Sequence, residues 1–138
     1  MANFATEADV RLRFQLNDTA EVSSALVNAS IDDAHTELLR FLDPVFDELS
    51  PEDALVMGET LLAGAYLYRS LASRQAFDEK QVAIGGQRIE AGKRFSALMA
   101  IASLTEETAW YILEPYVVDR PSVSPAGATD TVAVLGEE

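Results

Sequence analysis

Cysteine is absent from this 138-residue chain, and histidine occurs once, at His35. Without cysteine there are no disulfides, thiolate metal sites, zinc ribbons or cysteine nucleophile, and the composition fits a reducing compartment. One histidine is too few for a di-metal bundle, which draws roughly four carboxylates and two histidines from several helices. It also leaves a serine triad a single base to use, and no Gly-x-Ser-x-Gly elbow occurs. Gly85-Gly86-Gln87-Arg88 lacks the Gly-Lys-Ser/Thr ending of a phosphate loop. Positive charge is scarce: ten Lys and Arg face 23 Asp and Glu, for a net charge of −13. Affinity for phosphate backbones comes mostly from clustered Lys and Arg, so general nucleic-acid binding is not expected. Long apolar runs are missing too. The longest, Ala54 to Tyr68, is interrupted by Glu59 and falls short of the ~18 to 20 residues that span a bilayer. The start, Met1-Ala2-Asn3-Phe4-Ala5-Thr6-Glu7, has neither the basic beginning nor the apolar centre of a signal peptide, so secretion by that route is not expected.

What the chain does have is apolar residues, 49% of the total, enough to build one core in a domain of this length. Its charge is blocked. Residues 1 to 68 hold three basic and thirteen acidic groups, residues 69 to 94 six and three, and residues 95 to 138 one and seven. A positive middle between negative flanks suits copies that meet head to flank, though a solvated acidic surface with a chance basic stretch reads equally well.

The pattern along the chain is mainly helical. Thr6 can cap a short helix running to about Phe14, with Glu7 and Asp9 favoured by its dipole. Val22, Leu26, Ala29, Leu38 and Leu42 recur at helical spacing and predict a helix over about 20–42, which Asp43-Pro44 stops. Ser50 and Pro51 suit the start of a third helix over about 51–74. That helix is apolar nearly all round, so it is expected at the centre, and Gly58 and Gly64 within it predict close packing against a neighbour. At Val82 and Ile84 the period shortens to alternation. With Gly85-Gly86 and then Arg88 and Ile89, this predicts a two-stranded hairpin over about 81–90. Helical spacing returns from Gly92, and Thr105-Glu106-Glu107 suits the start of a last helix that Pro115 ends or kinks. The expected architecture is a small bundle of four to five helices with one hairpin over residues 1–117, followed by a flexible tail over 118–138.

Candidate chemistry is thin. Asp32 and His35 share a helix face at i, i+3, and a solvated polar face is expected there rather than a metal site. Glu59 is the one ionisable group in the middle of the most apolar helix; it must be paired, shifted in pKa or set on a narrow wet edge, and the edge is the simplest reading. Tyr66, Tyr68, Trp110, Tyr111 and Tyr116 suit core and rim better than a ligand cage.

The order of these elements resembles a known family. A capped helix in Phe4-Ala5-Thr6-Glu7-Ala8-Asp9-Val10-Arg11 precedes a long helix containing Ile31-Asp32-Asp33-Ala34-His35-Thr36-Glu37-Leu38. An apolar helix ending in Tyr66-Leu67-Tyr68-Arg69 follows, and then Val-x-Ile-Gly-Gly-x-x-Ile. Over about residues 4–115 this is similar to the head-tail connector proteins of tailed bacteriophages and prophages, also called adaptor or head-completion proteins. The resemblance implies a non-enzymatic structural subunit without cofactor. It implies a homo-oligomeric ring that binds the portal protein, receives a tail or stopper protein and surrounds DNA without reading its sequence, in the virion neck or in host cytoplasm during assembly. Two rival classes stand beside it: a non-viral helical interaction or regulatory module, and an enzyme with a carboxylate-only metal site.

Protein contacts are then expected at Val82, Ile84, Gly85, Gly86, Arg88 and Ile89 of the hairpin and at the adjacent Lys93 and Arg94. A second contact is expected in the tail, where Thr131 to Leu135 has strand propensity. Val132 and Val134, on one side of it, would add to a partner's sheet edge.

Overall fold

The structure, a computed structural model, describes residues 3–46, 52–81 and 85–118, with backbone alone over 75–81 and 85–92. It is mainly helical: α1 (Glu7–Phe14), α2 (Ser24–Phe41), α3 (Asp53–Gln81) and α4 (Gly85–Leu113), closed by a 3-10 turn, η1 (Glu114–Tyr116). Each start has a local cause. The Thr6 hydroxyl accepts from the Asp9 N–H while the Asp9 carboxylate accepts from the Thr6 N–H, a complete capping box for α1. α1 ends where Gln15 turns left-handed at φ 58°. Ser23 caps α2 through the Leu26 N–H, a few residues later than the start near residue 20 that the apolar spacing predicts. The stop at Asp43-Pro44 holds, with α2 ending at Phe41. Pro115 ends α4 and sits inside η1.

α3 and α4 run antiparallel. Gly58 of α3 lies against Leu113 of α4, and eleven residues further along α3 Arg69 pairs with Glu106 at 2.5 Å. α3 also carries α2 and α1, so it is the central helix that the apolar pattern predicts. The core joins Val10, Val27, Ile31, Leu38, Leu55, Leu62, Leu67, Trp110 and Leu113. Phe41 packs edge-on to Trp110 at 5.7 Å. Both glycines of α3 sit at close approaches: a Cβ on Gly58 would meet the Leu113 side chain, and one on Gly64 the Phe14 ring. The last described segment returns to the end of α2, where Asp43 donates to the Tyr116 carbonyl at 2.9 Å and Val118 to the Phe41 carbonyl at 2.8 Å. Leu42 and Val117 form an isolated antiparallel bridge there, and no strand is present among the described residues.

Two expectations fail. Among the described residues the hairpin over 81–90 is not formed: Gln81 closes α3, and Gly85, Gly86, Arg88 and Ile89 belong to the first turns of α4. A Gly-Gly pair suits a primed turn, but glycine is also tolerated at a helix start, and the long antiparallel pairing of α3 with α4 outweighs a four-residue alternation. Val82 and Ile84 lie outside the described residues. The expected helix start at Thr105-Glu106-Glu107 is instead the interior of α4, where Glu106 is taken up by Arg69 and accepts from the Trp110 indole N–H at 3.4 Å. The tail beyond Asp119, with Val132 and Val134, also lies outside the described residues.

Candidate functional site

The polar centre of the bundle is Glu59. It is fully buried (0% exposed) on α3, among the residues that pack α2 and the N-terminal segment onto that helix. One carboxylate oxygen, Oε2, accepts from the backbone N–H groups of Phe4 and Ala5 at 2.8 and 2.9 Å; the other, Oε1, lies 2.7 Å from His35 Nδ1 on α2. The Phe4 ring stands edge-on to the His35 imidazole at 4.8 Å and covers the pair. Burial pushes the Glu59 carboxyl above its ordinary range; the Ala5 N–H, His35 and the Phe4 N–H oppose that rise. His35 Nε2 is buried and has no partner among the described residues.

These positions correct two readings. His35 is buried rather than on a wet face, while Asp32 of the same face stays exposed and accepts from Asn3 Nδ2 at 2.7 Å. Glu59 occupies no wet edge. A carboxylate and an imidazole at this distance are the elements of a general base, but here both oxygens are occupied and neither residue lines the hollows at α1/α3 or α1/α4. The geometry suits holding: three elements meet on one carboxylate. No group of three or more His, Asp or Glu among the described residues is placed to hold a metal ion.

The outer surface differs. Large apolar side chains stand in solvent at Leu12 (75%), Ile101 (44%), Leu104 (65%) and Tyr111 (70%). On α4 the exposed positions Arg94, Ala97, Ile101, Leu104, Thr108 and Tyr111 repeat by three and four, so they form one stripe along the helix. Beside it an open hollow of about 240 Å³ is floored by Phe14 of α1 and Leu61 of α3. A larger hollow of about 600 Å³ lies between α1 and α3, bordered by Asp9, Leu12, Arg13, Asp53 and Met57. Of the predicted contact residues, Lys93 and Arg94 are exposed on α4, at the basic end of the stripe. Gly85, Gly86, Arg88 and Ile89 are placed only by their helical backbone. The stripe is not legible in the sequence because Leu104 shares the helical spacing of Phe95, Leu98, Met99 and Ala102, and only the packing separates the two faces.

No described helix is long and apolar enough to cross a membrane. No family model, curated protein or solved structure matches the chain.

Proposed function

We propose that this chain is a non-catalytic assembly subunit, and that its task is the one its sequence resemblance implies: a ring component of a phage or prophage head-tail connector, joining portal to tail around the DNA path. The observation that carries the assembly reading is the contrast between the two polar and apolar centres. The buried carboxylate is spent on fastening the chain's own elements, while leucine, isoleucine and tyrosine stand outside on one helix, as side chains awaiting a protein partner do. An acidic surface also suits a wall past which DNA slides without being gripped. The specific identity as a connector rests on the sequence resemblance.

Mixing the purified chain with portal particles of the phage or prophage that encodes it, followed by negative-stain imaging, tests the reading. Added density in a ring at the portal mouth is expected. Bare portals at saturating protein would overturn the connector assignment and leave the non-viral interaction module in its place.

A further inference from the structure

The α4 stripe has a heptad spacing: Arg94, Ile101 and Thr108 occupy one set of positions seven apart, and Ala97, Leu104 and Tyr111 the other. That is the spacing a two-helix coiled-coil seam uses, and the stripe lies on the face that α3 leaves open. At 1.5 Å per residue it is about 26 Å long. The two ends of the stripe also differ in the sign of their charge. Lys93 and Arg94 mark its beginning, and neither makes an ion pair with a described residue; Glu107 and Glu114 mark its far half.

We infer that this face binds a second copy of the chain, the two α4 helices lying antiparallel about a two-fold axis. Charge selects the occupant and the direction. A parallel pair would set Lys93 beside Lys93 and Glu107 beside Glu107, whereas the antiparallel pair sets each basic end against the other copy's acidic end and opposes the helix dipoles. The spacing then fixes a register. With Ile101 against the partner's Leu104, Ala97 meets the partner's Thr108 and Arg94 the partner's Tyr111, where a guanidinium over an aromatic ring is favourable. Every layer occurs twice by symmetry, small residues face medium ones, and the hollow floored by Phe14 and Leu61 receives the partner's ridge. This inference does not rest on the connector reading. A two-fold contact closes with two copies, so it defines the free chain and not the ring.

Sedimentation equilibrium of the full chain over a concentration series gives the first readout. A reversible dimer is expected. Leu104→Glu, a change at an exposed site, should weaken dimerisation at least about 100-fold with an unchanged helical spectrum. Lys93→Glu should weaken it as well. Because the chain has no cysteine, Ile101→Cys with Leu104→Cys can be oxidised cleanly; a bridge from residue 101 to the partner's residue 104 is expected by peptide mass. A monomer at every concentration, a dimer indifferent to Leu104→Glu, or bridges only between like positions would overturn the inference. Portal binding by a chain that stays monomeric would leave the connector reading intact.

Discussion

Glu59 shows how one residue sets the cost of the whole interior. Removing it leaves two buried backbone N–H groups and an imidazole without their acceptor, so Glu59→Ala should lose about 3 to 5 kcal/mol of stability. Glu59→Gln retains an oxygen for Phe4 and Ala5 and offers an amide to His35, so its loss should be well under half of that; urea melts of the two variants give the comparison. The sign of the pH response also follows. Burial raises the folded carboxyl above its ordinary 4.5, so its contribution is fully present below that value and is lost as pH rises through the raised one. Stability measured from about pH 4 to about pH 8 should therefore contain a falling limb in the native chain that Glu59→Gln removes. Glu7 works in the opposite sense. Its bonds from Ser24 and Arg11 lower its carboxyl, and the stability it lends fades as pH falls. The glycines give a paired expectation. Alanine at either position gains up to about 1 kcal/mol in helix propensity, but at Gly58 it strikes the buried Leu113, whereas at Gly64 it meets the outer edge of the half-buried Phe14 ring, which can swing. Gly58→Ala should lower the melting temperature, and Gly64→Ala should leave it nearly unchanged.

Among the elements, those that announce themselves by local chemistry were legible. Thr6 with Asp9 makes the start of α1 readable to the residue, and Asp43-Pro44 places the end of α2 to within a residue or two. Thr6→Ala should cost about 1 kcal/mol in chemical denaturation, since it breaks half of a capping box. The core of α3 was legible as well, because Leu55 and Leu62 lie in a run with little polar interruption and both are fully buried. Leu62→Ala should cost about 2 to 5 kcal/mol, and a loss below about 0.5 kcal/mol in the same melts would displace Leu62 from the core. What failed were the elements decided at a distance. Gly85-Gly86 carries the same two-residue signal in a hairpin as at a helix start, and only the antiparallel run of α4 along α3 chooses between them. Thr105-Glu106-Glu107 has the look of a cap until Arg69, 37 positions earlier in the chain, takes up Glu106. The His35–Glu59 pair was hidden for the same reason: 24 residues separate its members, which lie on different helices, and nothing local to either one names the other.

For the molecule as a whole, a net charge of −13 sets a self-repulsion that packing must exceed. Added salt screens it, so the melting temperature of the dilute chain should climb with ionic strength before levelling off, a trend that calorimetry at several salt concentrations would show or deny. The overall class, a helical bundle around one apolar helix, was readable because period and composition are summed over the full length. The candidate contact face was readable only in part: Lys93 and Arg94 were marked by charge, whereas Ile101, Leu104 and Tyr111 look like core until the bundle is closed. The N-terminal segment carries a further consequence. Extended segments outside helices ordinarily fray, and their amide protons trade with solvent almost freely. Here Phe4 and Ala5 donate to a carboxylate at the centre of the bundle. Their deuterium uptake should be as slow as that of the interior of α3, because peeling back residues 3–5 uncovers Glu59 and His35 and amounts to opening the molecule itself.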